Sequence, residues 1–166
     1  MTLQCGSRYA FDLLPFDCSN PQSMTAASLY SFAAQMKSLD PVLAHVRWVA
    51  SGIPSGIALR AETALEELLT NSVVYGNTAH SELASIWVAV VATDDSLNLR
   101  FEDAFAEFDP LAEINTAMQR IADSLEQPRV GGLGLLMVYR LADEFNYTRS
   151  NGRNCIELSF LDRSLH

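Results

Sequence analysis

Glu67 and Asn71 stand four residues apart in the run Leu65-Glu66-Glu67-Leu68-Leu69-Thr70-Asn71. That spacing puts a carboxylate and an amide on one helix face, one turn apart. Two such groups on an otherwise apolar helix are costly to keep unless something uses them. Asp103 follows the alternating run Leu97 to Glu102 and is expected at the end of a strand. A buried carboxylate there can accept a hydrogen bond from an exocyclic amine such as that of adenine. Gly131-Gly132-Leu133-Gly134 precedes a second apolar helix. Without Cβ atoms, its backbone amides can approach phosphate at the positive end of a helix dipole. Each feature alone also has a plain reading: a solvent-facing Glu with an Asn near a helix end, an acidic turn former, and a flexible connection.

The elements that must position these groups follow from periodicity. Ala61, Ala64, Leu65, Leu68, Leu69 and Ser72 recur at spacings of three and four, predicting a helix over 57–75 that Gly76-Asn77 stops. Ile86 to Val91 is β-branched and aromatic; Asp94-Asp95 turns the chain, and Leu97 to Glu102 returns as the second strand of a hairpin. A helix over Leu135 to Leu141 and a hairpin of Phe145–Arg149 and Cys155–Phe160 around Asn151-Gly152 close the pattern. Residues 104–130 mix Pro110, Asn115, Asp123 and Pro128 with short apolar clusters, which predicts a partly helical, mobile connection able to act as a lid. Upstream, Asp40-Pro41 reads as an N-cap followed by proline at the first helical position, opening a helix through Val42, Val46, Val49 and Ala50. Arg8 to Phe16 reads as an edge strand, Pro21 to Ser23 as a turn, and Thr25 to Lys37 as a helix.

Helices before and between antiparallel strands predict an α+β fold, a two-layer sandwich with a mixed, mostly antiparallel sheet covered by helices on one face. The 166 residues suit one domain. Within it, 1–38 reads as an N-terminal extension of strand plus helix, and 39–166 as the main body. Eight glycines and six prolines in a chain that is 49% hydrophobic point to neither disorder nor a fibrous repeat.

The net charge of −9 is unevenly placed: 11 acidic residues and only Arg100 on the basic side lie between Glu62 and Glu113. With Lys37 as its one lysine, the chain lacks the clustered cations that neutralise phosphate backbones, which argues against direct nucleic-acid binding. Cys5, Cys18 and Cys155 have no C-x-x-C spacing and no His at metal-ligand intervals, so they read as reduced, apolar fillers. His45, His80 and His166 read as surface residues. No signal peptide or membrane-spanning run is evident, and a cytoplasmic protein is expected.

Taken together, Glu67-x-x-x-Asn71, then Asp103 after a hairpin, then a variable segment and Gly131-Gly132-x-Gly134 before a helix resemble the N, G1 and G2 boxes of the histidine-kinase-like (GHKL, Bergerat-type) ATPase superfamily. Glu67-Leu68-Leu69-Thr70-Asn71, Phe108-Asp109-Pro110, Gly131 to Leu135, and Leu141-Ala142-Asp143 with Tyr147, Arg149 and Asn154 resemble the anti-sigma-factor serine kinases of the RsbW type. The resemblance covers about 39–160. It implies that Asn71 holds a Mg²⁺ bridging ATP phosphates, that Glu67 orients or deprotonates a protein serine, that Asp103 contacts adenine, and that Gly131, Gly132, Leu133 and Gly134 line the phosphates. It further implies a homodimer that binds a sigma factor and phosphorylates a STAS-type antagonist. One place departs from the family's D-x-G-x-x-F-D-P: Phe105 stands where the glycine is expected. Its ring either crowds the nucleotide or packs beside it. Tyr75 stands where relatives often carry histidine. A kinase that switches partners and a binding module that has lost catalysis are therefore the two rival readings.

Overall fold

The computed structural model describes residues 28–76, 84–123 and 133–163. Its sheet has five strands, β1 (Tyr30–Ala33), β2 (Ser85–Ala92), β3 (Ser96–Asp103), β4 (Glu144–Ser150) and β5 (Arg153–Leu161), in the order β1-β2-β3-β5-β4. Every pairing among the described residues is antiparallel. Helices α1 (Leu39–Val49) and α2 (Ser55–Tyr75) cover one face, joined by α3 (Pro110–Asp123) and α4 (Leu133–Leu141). The α+β two-layer architecture is the one that the pattern of helices and hairpins predicts.

Period-two alternation decides which side of the sheet meets the helices. Ile86, Val88, Leu97, Leu99, Phe101, Ile156, Leu158 and Phe160 are buried on that side, against Val42, Val46, Ile57, Ala61, Ala64, Leu65, Leu68 and Leu69 of α1 and α2. Among the described residues the opposite face carries a polar lattice and no helix. There Glu102 is held by Arg100 at 2.7 Å and by Arg153 at 3.0 Å, and the Arg153 guanidinium lies 3.6 Å from the centroid of the Trp87 ring. Cys155 is buried on this face, and burial pushes its thiol up to about 11. It is the inert filler the sequence suggests; Cys5 and Cys18 lie outside the described residues.

Three local expectations change. The helix read over Thr25 to Lys37 is, in its described part, a strand and a short 3-10 turn, because Tyr30–Ala33 pairs with Ser85–Val88 at the edge of the sheet and Met36–Ser38 forms the turn into α1. Sheet pairing and burial of Phe32 override the local helical pattern there. Helix α1 begins at Leu39 with Ser38 in the capping position and no side-chain cap, so Asp40 and Pro41 belong to its first turn. Both are well tolerated there: the carboxylate favours the positive helix end, and the missing N–H has no partner to lose. His45 is half-buried against Tyr30, with ring centroids 4.3 Å apart, and is not a plain surface residue. His80 and His166 lie outside the described residues. At the far end, Asn151 and Gly152 adopt φ of 51° and 77°, the left-handed pair that a tight two-residue hairpin requires.

A polar staple fastens α2 to the β4–β5 edge. Arg60 donates to the Leu141 carbonyl at 3.1 Å, to Asp143 at 2.8 Å and to the Leu161 carbonyl. Burial pushes the Asp143 carboxyl upward, but the Leu161 N–H and the Arg60 and Arg163 guanidiniums outweigh it, so its pKa lies below the ordinary value. A carboxyl depressed in the folded state stabilises the protein above its unfolded pKa of about 3.9, and that contribution is lost as pH falls through the folded value. Asp143→Asn is therefore expected to lower the melting temperature at neutral pH, by an amount that shrinks toward zero in acid. A difference constant from pH 7 to pH 3 in thermal unfolding would refute the ion-pair origin.

Candidate functional site

At one end of the sheet, the cross-strand row facing the helices changes from apolar to polar. Ile86 pairs with Asp103, Asp103 with Asn154, and Asn154 with Arg149. Asp103 and Asn154 are 8% and 5% exposed, so each must be satisfied by the protein or its ligand.

Asp103 Oδ1 accepts from Asn154 Nδ2 at 2.8 Å and from the Phe105 N–H at 3.1 Å. Its Oδ2 accepts from the Ser72 hydroxyl at 3.0 Å. A carboxylate offers about four lone-pair sites, and three are taken. Among the described residues no donor is recorded at the fourth, on Oδ2, where an incoming N–H could bond. Ser72 is a site residue that sequence reasoning placed only among the core-facing positions of α2. The signal was there, because a serine on an apolar stripe needs a polar partner.

The other half of the site lies where α4 meets α2. Glu67 and Asn71, both half-exposed, share a face of α2 one turn apart, and the start of α4 closes onto them through Gly134. A Cβ built on Gly134 would overlap the Glu67 carboxylate and lie 3.7 Å from Asn71 Nδ2. Glycine thus lets the α4 N-terminus meet this pair with the Glu67 carboxylate in place, whereas any Cβ would push that carboxylate aside. Leu133, at the first position of α4, is exposed. Gly131 and Gly132 lie outside the described residues. Consecutive residues of α2 thus serve the two halves: Asn71 points to α4, and Ser72 bonds Asp103.

The segment after Asp103 is held closely. Asp109 caps α3, its Oδ1 accepting from the Leu111 and Ala112 N–H groups at 2.9 and 3.4 Å, with Pro110 at the first helical position. Ile114 and Ala117 are buried, and α3 packs on α4. The connection expected to be mobile is, over 110–123, a packed helix; residues 124–130 lie outside the described ones. Phe105 packs on the core, its ring against Gly76, where an added Cβ would collide with it. Gly76 caps α2 in the right-handed region, with φ −76° and ψ −23°. Its use here is the space it leaves for this ring and for the Ser72 carbonyl, which an added Cβ would also meet, not left-handed backbone. Tyr75 is strongly exposed.

The family model for the histidine kinase-like ATPase domain matches residues 32–160. Comparison with curated proteins gives no match. Among solved structures 17 chains match. One of them, the RsbU and RsbW domains of Rv1364c from Mycobacterium tuberculosis, is 17% identical with a TM-score of 0.49, over 80% of this chain and 32% of that one. The present chain thus spans about a third of that protein's length.

Proposed function

This chain belongs to the histidine kinase-like ATPase domain family, and from that footing we propose that it is an ATP- and Mg²⁺-dependent serine/threonine protein kinase of the RsbW type. In this reading it sequesters a sigma factor and phosphorylates a STAS-type antagonist, acting as a cytoplasmic homodimer. The observation that carries the nucleotide part is Asp103: a buried carboxylate with, among the described residues, three protein donors and one acceptor site left open. Its Ser72 donor lies on the same α2 turn that carries Asn71.

The residues fit the groups the family implies. ATP bound with Mg²⁺ would supply the γ-phosphoryl group and the cation that offsets its charge. Asp103 would accept from the exocyclic amine of adenine. Asn71, through its amide oxygen, would hold the metal. Among the described residues no group of three or more His, Cys, Asp or Glu could hold a metal, so the remaining ligands would come from phosphate and water, as is usual for Mg²⁺. Gly131, Gly132, Leu133 and Gly134 would present backbone amides to the phosphates. Glu67 would accept the serine hydroxyl proton, since phosphoryl transfer asks mainly for positioning and neutralised charge. The acidic stretch from Glu62 to Glu113 would repel a phosphorylated antagonist and favour its release.

The rival reading, a binding module without catalysis, drew on Phe105. Its ring is accounted for by packing on Gly76, which supports the kinase. Calorimetric titration tests the proposal: wild type is expected to bind ATP more tightly with Mg²⁺ than with a chelator present, and Asn71→Ala to lose that gain, about tenfold or more. Folded wild type that binds no ATP at millimolar concentration would overturn it.

A further inference from the structure

Strand β1 is at the edge of the sheet: Tyr30–Ala33 pairs with β2 on one side, and among the described residues no strand lies on the other. Such an edge presents a row of backbone N–H and C=O groups that another extended segment can bond. An aromatic row stands beside it on the helix side of the sheet. The Tyr30 ring lies 4.3 Å from the His45 ring of α1, and the His45 ring lies 6.4 Å from that of Trp48. Trp48, which ends the row, is 74% exposed. An open strand edge that meets an aromatic row suits one kind of occupant: an extended segment whose alternate side chains are apolar.

We propose that residues 8–16 of this same chain pair antiparallel with the outer edge of β1 and lay Tyr9, Phe11 and Leu13 against Tyr30, His45 and Trp48. Three features of the sequence select this occupant. Tyr9, Phe11 and Leu13 alternate with Ala10, Asp12 and Leu14, so an extended segment gathers the three largest of them on one wholly apolar face. That face meets α1, and the face with Asp12 joins the polar side of the sheet. Pro15 has no N–H to offer a further strand, which suits the outermost position in a sheet. Residues 17–29 connect the segment to β1, with Pro21 to Ser23 as the turn. Adjacent strands lie only about 4.8 Å apart, so this connection reaches easily. Being tethered, the segment meets the edge at a far higher effective concentration than a second molecule would. The family match begins at residue 32, so the covering strand lies outside the matched domain, and the inference is independent of the nucleotide reading.

Amide hydrogen exchange on the full chain, read residue by residue by NMR, tests this. In wild type the outward-facing amides of 30–33 and alternate amides of 9–14 are expected to exchange about a hundredfold or more slower than in an unstructured peptide. That protection is expected to stay constant over about a hundredfold range of protein concentration, as a contact within one chain requires. Phe11→Asp sets a charge against the aromatic row and is expected to speed exchange in both segments together by about tenfold or more, while β3 and β5 keep their protection. Should Phe11→Asp fail to fold, Phe11→Ala carries the comparison, with a smaller change in the same two segments. Wild-type exchange in 9–14 at the rate of an unstructured peptide would overturn the proposal. So would protection of 30–33 that neither substitution at Phe11 alters, since something else would then cover the edge. Protection that appears only as concentration rises would assign the edge to a second copy and overturn the proposal as well.

Discussion

Glu67→Gln is expected to leave ATP affinity within about threefold of wild type and to lower phosphoryl transfer to a protein serine by roughly 10²–10⁴-fold, the range that a positioned general base contributes. Glutamine keeps the size of the side chain and its place against Gly134, so the approach of α4 to α2 survives. It cannot take a proton. On the proposed assignment Asn71, one turn on, keeps its amide and would keep its hold on the metal; the two residues share a face but would differ in role. Binding and single-turnover transfer measured on the same preparation separate the two effects. If Glu67→Gln weakened ATP as much as Asn71→Ala while sparing turnover, the assignment of the base would be wrong.

Asp103→Asn is expected to weaken ATP about a hundredfold with little change in melting temperature, because its protein contacts can be kept while its ligand contact cannot. The new amide oxygen can take the place of Oδ1, accepting from Asn154 and the Phe105 N–H. The new NH₂ then faces Ser72, whose hydroxyl turns from donor to acceptor. What the pocket offers the base has changed sign: an N–H stands where a lone pair was, and a 6-amino group meets donor against donor. Sites built around such a bond discriminate strongly when it is lost, since a buried polar group is left unpaired. Thermal unfolding and nucleotide titration check both halves. Unaltered ATP affinity in a folded Asp103→Asn protein would place the base elsewhere.

How much of this was legible beforehand differs from element to element. Helix α2, both hairpins and the Asn151-Gly152 turn were readable because their signals are local: a 3.6-residue apolar stripe, alternation, and a dipeptide that tolerates left-handed backbone. Tyr30–Ala33 was not. A short mixed segment takes its state from the strand it pairs with, and β2 lies more than 50 residues away. The start of α1 was misplaced by the attraction of Asp40-Pro41, a good local cap in a chain that turns two residues earlier.

By itself the sequence determined the order of the three boxes, and with it the family, because Glu67, Asn71, Asp103 and Gly134 keep spacings that local structure turns into faces and strand ends. Only the tertiary structure decided which groups complete them. Ser72 donates to Asp103 across 31 residues and Asn154 across 51, bonds made by strand register and helix docking, which no local pattern encodes. Whether Phe105 was a defect or a packing residue was likewise set by a partner outside its own segment. A glycine at the end of α2 leaves room for the ring, and packing space is a property of two elements brought together.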